Sequence, residues 1–311
     1  MDFGYKTYEE IIRVNNLIGM ANNLTPPSFS KSKKYIFIGC GSSYNAGLIL
    51  SEILKKQGIF AEAASSGEVL LENTADEIAR KFDVAFLLSR TGTTTETLKV
   101  AEMLKGKIES IGITCEKDSP LSALCDMNYE LDFAHEESVV MTSSFSAILR
   151  LFLNGIERYP ISPDEYLESY DSLLSEELLK EKSHFVFLGC QERYYVAKES
   201  ALKVEEMSLD HTEFYETLEY RHGPIALLSP RTHVVIFSKY RKPHKLETDL
   251  ANDIVSRGGS VHILNAMTDR PEFEVQFLTL YGQLLGYKRA ILKGLNPDKP
   301  KGLSKSVILD N

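Results

Sequence analysis

Residues 35–54 read YIFIGCGSSYNAGLILSEIL, and residues 185–204 read FVFLGCQERYYVAKESALKV. Shifted by 150 positions, the two stretches place Phe37 on Phe187, Gly39 on Gly189, Cys40 on Cys190 and Tyr44 on Tyr194. Each is a continuous apolar run, then a break, then a segment with helical periodicity. A run without a polar face is a strand buried on both sides, as in a parallel sheet, and the segment after it is the helix that covers it. The chain therefore carries the same strand–loop–helix unit twice.

The repeat extends outward. Residues 83–89 (DVAFLLS) and 233–238 (HVVIFS) lie at the same offset within a residue and read as the second strand of each half. Residues 108–114 and 260–264 read as further strands, each after a helical stretch. Strands alternating with helices imply an α/β fold of two similar doubly wound parallel-sheet subdomains, each an α/β/α sandwich. The expected boundaries are a helical N-terminus over residues 1–30, a first subdomain over 31–160, a linker over 161–180 and a second subdomain over 181–311.

A length of 311 residues, with 43% hydrophobic and 25% charged content, suits this arrangement. A net charge of −9 argues against nucleic acid as a partner. No apolar run is long enough to span a membrane, and the N-terminus does not read as a signal peptide. Cys40, Cys115, Cys125 and Cys190 form no CxxC pair and no metal-ligand spacing, so a reducing cytoplasm is expected and no metal site. The basic run from Lys239 to Lys245 reads as a solvated loop and receives no role.

Two loops of the first half are suited to an anion. One is Gly39-Cys40-Gly41-Ser42-Ser43; the other is Ser89-Arg90-Thr91-Gly92-Thr93-Thr94. Glycine lets the backbone approach a ligand, a helix start offers free N–H groups, and hydroxyls add short neutral donors. That shell suits a sugar monophosphate, since no Walker lysine is present. Either cluster by itself could be an ordinary helix N-cap. A dinucleotide fingerprint is discounted, because position 44 is tyrosine where the third glycine would stand. The second copy has Gln191-Glu192-Arg193 in place of Gly41-Ser42-Ser43, so phosphate binding is assigned to the first half.

The second half is rich in ionisable groups. Glu199, Lys203 and Glu206 share a helical face at i, i+4 and i+7, either as a solvated salt-bridge stripe or as acid–base chemistry. In Glu219-Tyr220-Arg221-His222-Gly223-Pro224 the Gly-Pro pair fixes a turn that presents His222, a group suited to opening a sugar ring.

GCGSSYNAG, LSRTGTTTET, ESVVMTSSF, ESALKVEEMS, EYRHGP and LSKSV, in that order, resemble the sugar isomerase (SIS) family from about residue 30 to the C-terminus. Within it the chain is similar to the isomerase half of glucosamine-6-phosphate synthase and to archaeal-type glucosamine-6-phosphate deaminases. The resemblance implies phosphate binding by Gly41, Ser42, Ser43, Ser89, Arg90, Thr91 and Thr94, with Val140 and Thr142 lining the sugar. It makes Glu206 the base that moves a proton between C1 and C2, with Glu199 and Lys203 beside it. It makes His222 the ring-opening residue, reaching a neighbouring subunit's pocket, and Lys305 the lysine that contacts the open-chain sugar and can form an imine. Arg90 departs from the synthase, which has glutamine there. The chain shows no glutaminase segment and no cysteine near position 2. The expectation is thus release of ammonia from an amino-sugar phosphate, glucosamine 6-phosphate giving fructose 6-phosphate, by a cofactor-independent homodimer with shared sites. Another phosphosugar aldose–ketose isomerase, a fructosamine-phosphate deglycase and a non-catalytic phosphosugar sensor are the alternatives.

Overall fold

The computed structural model describes residues 3–309. The chain runs through α1 (Tyr5–Ile12), α2 (Val14–Asn22), β1 (Lys34–Gly39), α3 (Ser42–Lys56), β2 (Phe60–Ser65), α4 (Ser66–Glu72), α5 (Ala75–Lys81), β3 (Val84–Leu88) and α6 (Thr95–Leu104). Next come β4 (Glu109–Thr114), β5 (Met127–Glu130), α7 (Ser143–Ile156), α8 (Asp164–Leu173), α9 (Glu176–Glu181), β6 (His184–Gly189) and α10 (Glu192–Ser208). β7 (His211–Glu216), β8 (Thr232–Phe237), α11 (Lys245–Ser256), β9 (Ser260–Leu264) and α12 (Val275–Leu292) complete it.

Two compact units result. One holds Arg13–Pro160 with the tail from Ser304; the other holds Ile161–Leu303 with the N-terminal residues through Ile12. The tail, grouped by sequence order with the second half, is bonded instead to the first: Thr95 N donates to the Val307 carbonyl at 3.2 Å. α1 likewise packs on α12, with Tyr8 stacked on Tyr287 at 5.2 Å.

The first unit is a five-stranded sheet in the order β2-β1-β3-β4-β5 and the second a four-stranded sheet in the order β7-β6-β8-β9. The strand pairs are parallel throughout. Both sheets carry helices on both faces, as the doubly wound reading requires. In β1 alternate side chains take opposite sides. Phe37 stacks on Phe86 at 5.1 Å, and Phe86 meets Phe152 of α7 edge-on at 5.1 Å. Ile36 and Ile38 instead join Val69, Val100 and Leu104 from α4 and α6. In the second unit Val186, Leu188, Val234 and Ile236 pack against Leu250 and Ile254 of α11.

The strand read as second in each half is third in chain order, because β2 and β7 precede it. These edge strands were not legible in the sequence. FAEAAS and HTEFYE mix polar residues among the apolar ones and are mostly half-buried, since each strand has one neighbour. β5 (MNYE), at the opposite edge, escaped detection for the same reason. β7 begins 151 positions after β2, so the repeat includes them.

Candidate active site

In the first sheet β1 has β2 on one side and β3 on the other, so the strand order reverses between β1 and β3 while the strands stay parallel. A crevice opens beyond the carboxyl ends of strands at such a switch point. The two hydroxyl-rich loops, β1–α3 and β3–α6, lie on those strand ends. Gly39 is opposite Leu88 in the register. A Cβ on Gly39 would sit 2.9 Å from the Leu88 carbonyl and 3.0 Å from Ser43 Cβ, which shows how tightly the two ends and the start of α3 converge.

Neither helix is closed by a side-chain cap: Gly41, with φ +54°, precedes α3, and Thr94 precedes α6. The ordinary N-cap reading of these residues therefore fails; Ser43 N donates instead to the Cys40 carbonyl at 3.1 Å, and Thr95 N to the Val307 carbonyl at 3.2 Å. The Ser89 hydroxyl donates to Thr94 Oγ1 at 3.3 Å, and Thr93 Oγ1 donates to Thr91 Oγ1 at 2.9 Å. Gly92 has φ +63°, and a Cβ there would lie 2.3 Å from Ser119 Oγ, so the loop admits no side chain at that point. Ser42, Ser43 and Ser89 are buried, and Thr91 and Thr94 are half-buried.

Arg90 faces inward. Its guanidinium makes a buried ion pair with Glu136 at 3.1 Å and donates to the Val139 carbonyl at 2.8 Å. Glu136 also accepts from Thr142 N at 3.0 Å, Thr142 Oγ1 at 2.7 Å, Ser144 N at 3.2 Å and Ser144 Oγ at 2.5 Å. Burial by itself would raise the Glu136 carboxyl; Arg90 and these donors outweigh it and hold the group below the ordinary glutamate value. The hydroxyl of Thr142 is thus directed at Glu136, and Val140 is buried beside it in sequence. Lys305, exposed on the tail, donates to the Glu136 carbonyl at 2.7 Å. Sequence reasoning passed over Glu136, which stands one residue before ESVVMTSSF. Its only local signal is a glutamate upstream of a Thr-Ser-Ser helix start.

The second unit repeats the switch point between β6 and β8. Gln191 keeps the turn of Gly41, with φ +57° against +54°, although a side chain is strained there. Glu192 and Arg193, at the positions that correspond to Ser42 and Ser43, form a buried ion pair of 2.5 Å.

On α10, Glu199 and Lys203 are wholly buried and Glu206 is 23% exposed at its side chain. Lys203 Nζ lies 3.4 Å from Glu199 Oε1 and 2.5 Å from Glu206 Oε2. That burial removes the solvated-stripe alternative. An ammonium enclosed between two carboxylates leaves one of them, Glu206, open to solvent and to a substrate. His222 stands apart, exposed after a short 3₁₀ turn and before Gly223 at φ +134°. Among the described residues no hydrogen bond or ion pair joins it to the α10 carboxylates.

Similarity to known proteins agrees with this geometry. A glucosamine-6-phosphate deaminase from Thermotoga maritima superposes with a TM-score of 0.85 at 35% identity, covering 98% of this chain and 100% of that one. The C-terminal domain of the glucosamine-fructose-6-phosphate aminotransferase of Francisella tularensis shares the fold, with a TM-score of 0.74 at 23% identity over 95% of this chain and 97% of that one. The isomerizing glutamine–fructose-6-phosphate aminotransferase of Sulfurisphaera tokodaii is 27% identical over 304 residues, which take in 90% of this chain and 50% of that protein. The chain thus spans about half the length of the curated relatives it matches. The SIS domain model matches residues 28–153 and 177–276, the two parallel sheets with their loops, and the chain belongs to the SIS domain family.

Proposed function

We propose that this protein is a cytoplasmic homodimer that deaminates glucosamine 6-phosphate to fructose 6-phosphate and ammonia. Ser42, Ser43, Ser89, Thr91, Thr94 and the backbone at Gly41 bind the phosphate. His222, supplied to a partner's site, opens the ring. Glu206 removes the C2 proton of the open-chain amino aldehyde, giving an enolamine, and returns a proton to C1. The resulting C2 imine takes up water and releases ammonia. Lys203 holds Glu206 in place, Glu199 balances its charge, and Lys305 meets the C2 carbonyl of the ketose. Val140 and Thr142 shape the wall on which the sugar rests.

The observation that carries this reading is the partial exposure of Glu206 beside a fully buried Lys203. A carboxylate fixed by a buried cation yet open on one side is placed to exchange a proton with a bound molecule. The test is a panel of amino-sugar, ketosamine and simple sugar 6-phosphates, with ammonia and fructose 6-phosphate measured together. Both products should appear in equal amounts from glucosamine 6-phosphate. Interconversion of aldose and ketose without ammonia would make the protein an isomerase instead, and binding without turnover would make it a sensor.

A further inference from the structure

Arg90 and Glu136 form a buried charged cluster of the first unit that the chemistry above leaves without a task. Arginine is a rigid fork able to serve two acceptors at once. Nη1 of Arg90 meets Glu136 Oε2 at 3.1 Å, while Nη2 donates to the Val139 carbonyl at 2.8 Å and to the Lys305 carbonyl at 3.5 Å. The Lys305 ammonium in turn donates to the Glu136 carbonyl at 2.7 Å. Lys305 is therefore held at both ends, its main chain by Arg90 and its side chain by the peptide of Glu136.

Little else holds it. Leu303, Val307 and Ile308 around it are exposed, so packing does not fix this part of the tail. The other ties of this stretch are hydrogen bonds, Thr93 Oγ1 to Ser306 Oγ at 3.0 Å, Thr95 N to the Val307 carbonyl at 3.2 Å and Leu309 N to Thr95 Oγ1 at 3.1 Å. We propose that Arg90 and Glu136 are a positioning clamp for Lys305, with Arg90 serving the lysine and not the phosphate. This rests on the role given to Lys305 under the proposed function.

The test reads the lysine directly. Protein is incubated with fructose 6-phosphate and borohydride, and labelling of Lys305 is followed by peptide mass. The lysine amine adds to the C2 carbonyl and expels water; hydride from borohydride reduces the imine carbon while water supplies the proton to nitrogen, leaving a stable secondary amine. Arg90→Lys keeps a cation opposite Glu136 but loses the fork. The double variant Arg90→Gln/Glu136→Gln removes both charges together, so neither is left buried alone. Both should be labelled at least about tenfold more slowly than wild type at saturating sugar, a loss typical of an ångström-scale misplacement. Fructose 6-phosphate affinity should stay within about twofold, with folding checked by melting. Equal labelling rates overturn the clamp. So does affinity lost with labelling unchanged at saturation, which would make Arg90 a phosphate ligand. Wild-type protein without a Lys305 label removes the role of that lysine itself, and the clamp falls with it.

Discussion

Single side chains carry the sharpest consequences. A hydrogen bond to a charged group is worth about 1.5–3 kcal/mol, so Ser43→Ala or Thr94→Ala should raise KM for the phosphosugar about tenfold or more while changing kcat little. Saturation kinetics check this; turnover of unphosphorylated glucosamine as efficient as that of its 6-phosphate would dismiss the cradle. Glu206→Gln keeps the shape of the side chain but cannot accept the C2 proton. Turnover should fall about 10²–10⁴-fold with phosphosugar affinity retained, as measured by calorimetry. Near-normal turnover would pass the base to another group.

At the scale of elements, α10 is set by its contact with α12. A Cβ on Gly286 would lie 2.8 Å from the Lys203 carbonyl and 3.1 Å from Val204 Cα, both backbone atoms that cannot swing aside. Gly286→Ala should cost about 1–3 kcal/mol and lower Tm by roughly 2–4 °C for each of those kcal/mol. Gly19→Ala in α2, where nothing lies within 4 Å, should be neutral or stabilising. Equal melting of the two variants would refute close packing as the cause. The β8–β9–α12 layer adds a pH dependence. His233, wholly buried, bonds Ser260 Oγ at 2.9 Å and Tyr281 OH at 3.0 Å. Burial, with His262 and Lys182 nearby, pushes it well below the ordinary histidine value, and burial lowers His262 as well. Below about pH 6.5 the unfolded chain binds protons that the folded chain refuses. The stability these neutral histidines contribute is full above that pH and declines as pH falls, by up to about 1.4 kcal/mol per unit for each group. Melting from pH 7.5 to 5.5 should show a steeper fall for wild type than for His233→Gln; identical slopes would count against it.

For the whole molecule, the exposure of His222 away from α10 suits service in another subunit. Glu206→Gln and His222→Ala proteins, each inactive, are mixed under conditions that allow subunit exchange. On the proposed homodimer with shared sites, every mixed dimer holds one doubly damaged site and one intact site, and activity should recover to about a quarter of wild type by twofold counting. Absence of recovery after proven exchange would return His222 to its own chain.

Sequence alone determined the repeat, the parallel sheets and the central strands, because strands buried on both faces write themselves as unbroken apolar runs. It also marked the glycine and hydroxyl loops and the spacing of Glu199, Lys203 and Glu206, which are local properties of a turn and a helix. Only the tertiary structure decided that Lys203 is enclosed while Glu206 stays open, since burial depends on α12, far along the chain. It alone revealed β2, β5 and β7, whose half-polar patterns make sense only beside a neighbour. Arg90 is the plainest case. Its loop suggested an anion ligand; nothing in the sequence marked its partner Glu136, 46 positions away, or a further acceptor, the Lys305 carbonyl, 215 away. Charge pairing across such separations leaves no periodic trace, and the pairing of a buried charge is settled by which partner the fold brings to it.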